Sequence, residues 1–358
     1  MASNPTGSYK MSNKGIAATL FAAEDLRVVD IELGELAPNM ARVKFGAGGI
    51  CGSDMHYFRH AKTGDFVVTS PLILGHEVAG EIIEVGRAVT GIAVGDRVAV
   101  NPSRWCGTCA YCHEGRPNLC ENIYFMGSAS KTPHMQGGFA SVFDAVAAQC
   151  VKVPNELPFQ AAALAEPLAV CLHAVRRAGH VKGTSTIIFG SGPIGLLTLL
   201  ALKHSGAESV TMVDVAAAPL KFAEELGADQ IVDISGGEER LAEVAVATPF
   251  DIAFEISGTP AGLASAIRTV RRGGTVVQVG NLAGGSIPVP ANAIMSKELD
   301  LIGTFRFGDE FFEAVELIVE NKVDVLKLVT GEYKLADAPE AFRTALDRSR
   351  SVKVVLTA

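Results

Sequence analysis

The sequence predicts an α/β protein of two domains, one β-rich and one built on a doubly wound parallel sheet. Its 358 residues exceed what a single core usually organises. Short apolar runs broken by Gly, Pro and Asp fill the first half, whereas strands alternating with helical stretches fill the second. At 48% hydrophobic and 20% charged residues the composition is that of an ordinary globular chain, which excludes long disordered tracts. A net charge of −8 without any basic cluster excludes nucleic acid as the expected partner.

Residues 1–15 are polar, lack the basic-then-apolar order of a secretion signal and read as a disordered extension; Met11 offers an alternative start, and the cytoplasm is the expected compartment. Residues 16–160 carry the β-rich pattern, with runs at Arg42 to Phe45, Glu81 to Val85 and Arg97 to Val100 and a Gly95-Asp96 turn. Residues 161–304 alternate. Strands are predicted at Ile187 to Phe189, Val210 to Asp214, Gln230 to Val232, Phe250 to Phe254, Thr275 to Val279 and Leu299 to Ile302, with helices at Ile194 to His204, Leu220 to Leu226 and Ala261 to Arg271. The apolar window Thr186 to Leu202 contains Gly190, Gly192, Pro193 and Gly195, so it reads as strand, turn and buried helix and not as a membrane span. Residues 305–358, with helices at Glu310 to Val319 and Pro339 to Leu346 and a strand at Val352 to Leu356, are expected to rejoin the first domain, because six strands already complete the open sheet.

Gly190-Ser191-Gly192-Pro193-Ile194-Gly195 follows an apolar strand and opens an apolar helix. Its glycines permit a tight turn, close approach of a pyrophosphate, and helix-on-strand packing. Asp214 ends the next strand, where a carboxylate accepts ribose hydroxyls and repels a 2′-phosphate; no arginine follows it, so NAD is expected over NADP.

Cys106, Cys109, Cys112 and Cys120 have the spacing of a closed four-thiolate zinc shell, which holds a loop and leaves no position for substrate. A disulfide pair and an iron–sulfur cluster are the alternatives. His113 reads as solvated, and Cys150 and Cys171 as buried structural thiols. Cys51 in Cys51-Gly52-Ser53-Asp54-Met55-His56-Tyr57 and His76-Glu77 after Gly75 acquire meaning together: a thiolate, an imidazole and a carboxylate with one place free form an open, catalytic zinc site, with Asp54 suited to orient the histidine.

These motifs, together with Ala165-Glu166-Pro167-Leu168, resemble the zinc-dependent medium-chain dehydrogenases over essentially the whole chain after residue 15. The resemblance implies a GroES-like β-rich catalytic domain followed by a Rossmann domain, with one catalytic and one structural zinc per chain. Glu166 in place of a third ligating cysteine, Tyr57 after His56, and Gly303-Thr304-Phe305-Arg306-Phe307 are similar to the sorbitol and xylitol, or polyol, branch. Gly127-Ser128-Ala129 and Pro133 to Phe139 are most similar to the L-idonate 5-dehydrogenases. One departure is Pro219, where a basic residue often follows the ribose-binding aspartate.

The resemblance implies NAD-linked oxidation of a secondary alcohol in a polyol or sugar acid, best matched by L-idonate. Glu77 and Glu166 are then direct or water-bridged zinc ligands beside Cys51 and His76, and Ser53 relays a proton to His56. Val279, Asn281 and Phe305 meet the nicotinamide amide, and Tyr57 and Arg306 bind the substrate's remaining groups. A homotetramer is expected. Threonine dehydrogenase is the enzymatic rival, and a redox sensor or structural protein the non-enzymatic one.

Overall fold

The computed structural model describes residues 14–282, 284–347 and 351–358. Of the segment expected to be a disordered extension, residues 1–13 lie outside these, while Lys14 and Gly15 open the strand Lys14–Ala22, paired with Glu32 and Ile31. A side chain at Gly15 would overlap Ser141 Oγ, which accepts the Ile16 N–H at 3.0 Å. The glycine therefore belongs to the strand, not to a tail.

The first unit is built on a seven-stranded sheet. Across it run Cys150–Lys152, Arg97–Val100, Glu77–Val85, Met40–Gly49, Lys353–Thr357 and Val329–Lys334, with Val142–Val146 paired to the Met40 end of Met40–Gly49. Phe45, Ile82, Phe139 and Phe342 have no more than 2% of their surface exposed and anchor its core. The chain's last strand joins this sheet, as Val355 pairs with Gly49. In the antiparallel pair next to it Gly49 faces Glu77, so Cys51 and His76 emerge at the same end of the sheet. The register of three strands thus sets up the site.

The second unit holds six parallel strands in the order Gln230–Asp233, Ser209–Asp214, Ser185–Phe189, Phe250–Glu255, Val270–Gln278 and Asp300–Gly303. Connections leave the third of these in both directions, which opens a crevice at the carboxyl ends of Ser185–Phe189 and Phe250–Glu255. Ile187, Ile188 and Phe189 are buried, as a strand covered on both faces requires. The apolar window after it is the helix Pro193–His204. Among the described residues no helix is long and apolar enough to cross a membrane.

The helix expected to run from Ala261 to Arg271 ends at Thr269. Val270 instead pairs with Phe250 and begins a strand that bulges before Thr275 pairs with Ile252, so sheet pairing overrides the helical pattern at its last two positions. The helices Glu239–Ala247 and Ala165–Arg177 were not legible as elements. The first buries only Leu241 and Val244, and the second is buried over most of its surface, which erases the polar stripe that marks a surface helix.

Candidate active site

Cys51 caps the helix Gly52–His60, and His76 and Glu77 lead into the strand Glu77–Val85. One ligand atom from each of Cys51, His76 and Glu77 falls within a group no wider than 4.8 Å. Asp54, fully buried, fixes both arms: its Oδ2 accepts the Cys51 N–H at 3.1 Å and its Oδ1 the Gly75 N–H at 3.3 Å. Oδ1 also lies 3.6 Å from His76 Nδ1, an ion-pair distance. Burial opposes charging the His76 ring, yet the neighbouring Asp54 and Cys51 hold its pKa well above the ordinary value.

Lys353, on the C-terminal strand, closes the back of the site. Its Nζ donates to Glu77 Oε1 at 2.7 Å and to the Ile50 carbonyl at 3.0 Å, and sits 2.6 Å from Glu77 Oε2. The ammonium thus contacts both carboxylate oxygens of the fully buried Glu77. A side chain at Gly49 would overlap Oε2, so the absence of a Cβ there makes room for the carboxylate. Burial lowers and the neighbouring Glu77 and Cys51 raise the Lys353 pKa, with a net rise. A cysteine sulfur, an imidazole and a carboxylate brought together in this way, beside the space that the missing Cβ of Gly49 leaves, are a donor set that fits a zinc ion.

Glu166, in the first turn of the helix Ala165–Arg177, is 4% exposed beside this group, but its oxygens fall outside the 4.8 Å cluster. Burial pushes its carboxyl up to about 7, with His76 and Lys353 pulling down and Glu77 and Asp54 pushing up. Ser53 and the exposed His56 stand one helical turn apart on Gly52–His60, a spacing that puts them on one face. Tyr57 is buried, and its hydroxyl accepts the Ala129 N–H at 3.0 Å.

Arg306 reaches the site from the other unit. Its guanidinium lies 4.5 Å over the Phe125 ring and 4.8 Å over the Phe305 ring, and one of its terminal nitrogens is buried without a partner. Burial lowers its pKa, and the neighbouring Glu166 and Tyr57 raise it without cancelling that effect. Phe125 also packs 5.2 Å from the His76 ring, so one aromatic ring touches both a metal donor and the cation.

The dinucleotide motif has the expected form. Gly190 has φ of 108° and a Cβ there would meet Ser257, while one on Gly195 would overlap the Gly190 carbonyl; both are required by the protein's own backbone. A Cβ on Gly192 would meet nothing, which leaves open space at the amino end of the helix that Pro193 and Ile194 begin. That cradle fits a pyrophosphate. Asp214 accepts the N–H groups of Ser191 at 2.6 Å, Val215 at 2.7 Å and Ala216 at 3.0 Å, so three of about four acceptor positions are filled and one remains for a ribose hydroxyl. Val279, Asn281 and Phe305 follow the carboxyl ends of the strands Val270–Gln278 and Asp300–Gly303, on the crevice side.

In the separate lobe, Cys106, Cys109, Cys112 and Cys120 likewise bring their sulfurs within 4.8 Å. All seven cysteines are free thiols, which removes the disulfide alternative from this structure. Hydrogen bonds from the Thr108 hydroxyl and N–H draw the Cys106 thiol down to about 5, favouring the thiolate a zinc ion needs. Cys150 and Cys171 are buried elsewhere, as expected.

Four participants escaped the sequence reading. Lys353 is the one cation of an otherwise apolar strand, and nothing along the chain shows that Glu77 is its partner. Asn118, His173 and Glu310 carry no such mark, and only the fold joins them.

Residues 37–155 match the family described as alcohol dehydrogenase GroES-like domain, and residues 193–320 that described as zinc-binding dehydrogenase. The chain is 38% identical over 320 residues to an L-idonate 5-dehydrogenase (NAD(P)(+)) of Escherichia coli (strain K12), covering 89% of this chain and 92% of that protein. It is 35% identical over 344 residues to a sorbitol dehydrogenase of Bacillus subtilis (strain 168), covering 95% and 96%. The crystal structure of L-idonate 5-dehydrogenase from Escherichia coli superposes with a TM-score of 0.90 at 35% identity, over 96% of this chain and 98% of that one.

Proposed function

Because the chain belongs to the zinc-containing medium-chain dehydrogenases, in their polyol dehydrogenase branch, and is thus an NAD(P)-dependent alcohol dehydrogenase, we propose that it interconverts L-idonate and 5-keto-D-gluconate with NAD. The observation that carries the substrate assignment is the buried nitrogen of Arg306, without a partner among the described residues, on the ring of Phe125 that also touches His76 of the Cys51–His76–Glu77 cluster. A guanidinium held open in this way suits a terminal carboxylate. Sorbitol, the substrate named for the Bacillus subtilis relative, ranks second.

Zinc and a nicotinamide would supply, when bound, a Lewis acid that eases loss of the hydroxyl proton and an acceptor for the hydride of the carbon that bears the hydroxyl. Cys51, His76 and Glu77 would hold the metal, and Glu166, directly or through water, would complete its surroundings. Asp54 keeps His76 oriented and Lys353 anchors Glu77. Ser53 would take the substrate proton, and the exposed His56, one turn along the same helix, would release it to solvent while the hydride path stays dry. Tyr57 and Arg306 orient the rest of the substrate chain. The Gly190–Gly195 turn cradles the pyrophosphate, Asp214 selects NAD, and backbone groups of Val279, Asn281 and Phe305 receive the carboxamide. Cys106, Cys109, Cys112 and Cys120 would hold a second, structural zinc. We further infer a homotetramer, in which the strand Asp300–Gly303, paired on one side only within the chain, pairs with its counterpart.

The test is a panel of polyols and aldonates with NAD and with NADP, combined with metal analysis. L-idonate with NAD is expected to show the highest kcat/KM. Cys51→Ser is expected to drop zinc from two ions per chain to one and to abolish turnover while NADH still binds. A zinc-poor variant with full activity would sink the proposal.

A further inference from the structure

We propose that Asn118, on the four-cysteine lobe, is a positioning residue for Arg306, so that the lobe sets the affinity for the far end of the substrate. This rests on the reading of Arg306 as the substrate-facing cation. Arg306 has φ of 54°, a left-handed conformation that disfavours every side chain and persists only where neighbours over-determine it. Its neighbours do so. On one side Asn118 Nδ2 donates to the Phe305 carbonyl at 3.0 Å, and on the other the Gly308 N–H donates to Glu310 Oε2 at 2.7 Å. Between them Phe307 is fully buried and stacks 5.9 Å from Phe311. Held in this bracket, the guanidinium points between the Phe125 and Phe305 rings with a nitrogen left open.

A second line of contacts joins the two sides of the bracket. Asn118 Nδ2 lies 3.4 Å from His173 Nε2, and His173 Nδ1 lies 3.0 Å from Glu310 Oε1, which also accepts Arg176 at 2.7 Å. With the amide as donor, His173 accepts at Nε2 and donates from Nδ1, so every member has a partner of the right kind. His173 is two turns beyond Glu166 on the helix Ala165–Arg177, which ties the bracket to the floor of the site. Asn118 itself is buried in the turn Pro117–Leu119, immediately before Cys120 in the lobe. The position of Arg306 is therefore referred to the lobe through the Asn118 amide.

A double-mutant cycle tests this, with L-idonate as substrate, or sorbitol if that is what the enzyme turns over. Asn118→Ala is expected to raise the substrate KM about tenfold while kcat and the Kd for NADH stay within twofold and zinc stays at two per chain. In an Arg306→Met background the same change is expected to raise KM by less than about twofold. An unmoved KM, or the same rise in both backgrounds, would overturn the proposal. If Arg306→Met alone leaves KM unchanged, the reading of Arg306 has failed instead, and the proposal falls with it. Should Asn118→Ala lose zinc, Asn118→Asp keeps the shape, replaces the donor by an acceptor and is read in the same way. Zinc loss in both variants would show that Asn118 serves the lobe and not Arg306.

Discussion

At the scale of single residues, the buried pair of Lys353 and Glu77 is where electrostatics and chemistry meet. Both side chains are at most 4% exposed, so removing one strands the other's charge in a medium that cannot solvate it. Lys353→Met keeps most of the volume and is expected to cost about 3 kcal/mol or more, read as a shift in the urea midpoint. A change below about 1 kcal/mol would mean that Glu77 finds another cation or a proton. Asp214 is the residue whose charge should discriminate between coenzymes. Asp214→Ala is expected to narrow the NAD-to-NADP ratio of kcat/KM, and equal use of both coenzymes by the unaltered enzyme would contradict that role. The metal donors Cys51, His76 and Glu77 were legible because few other duties require those residue types beside glycine. Lys353 was not, since a lysine in a strand has no visible partner until the strands are paired.

At the scale of elements, the helix Ala165–Arg177 carries Glu166 at one end and His173 and Arg176 near the other. It therefore links the site to the helix Glu310–Val319, whose Glu310 is its partner. Burial alone would raise the Glu310 pKa, but hydrogen bonds led by His173, with the Gly308 N–H among them, bring it down to about 2, below the ordinary 4.5. A folded-state pKa lower than the unfolded one contributes stability above pH 4.5 that is lost as pH falls toward 2. The stability gap between the native protein and Glu310→Gln is expected to be full at pH 7 and to shrink through that window. Urea unfolding at several pH values checks it, and a gap independent of pH would refute it. The glycine-rich turn and its following helix were readable as one element because strand, turn and helix are local. The last two residues expected of the helix Pro260–Thr269, Val270 and Arg271, were misread because pairing with Phe250 is not local.

At the scale of the whole molecule, the two units meet across the site: Cys51, His76 and Glu77 come from the seven-stranded sheet and its loops, while Arg306 follows the last strand of the six-stranded one. Among the described residues the outer strand Asp300–Gly303 has one open edge, and Leu301 on it is 41% exposed. Pairing of this edge with its counterpart closes a dimer, and two such dimers make the proposed homotetramer, whose mass by light scattering is expected to be four times that of one chain. Leu301→Lys is expected to reduce that mass. A native protein that runs as a single chain would remove the assembly proposal and leave the site chemistry untouched.

By itself the sequence determined the two-unit plan, the dinucleotide turn and both sets of metal donors. In each case the residues that act together are close along the chain or of a type that few other duties explain. The tertiary structure alone decided that Lys353 backs Glu77, that Glu166 stands beside the donor cluster and outside it, and that Asn118, His173 and Glu310 brace the segment bearing Arg306. These contacts join residues 55 to 276 positions apart, held together by strand register and helix packing, and no spacing along a chain encodes a distance across a fold.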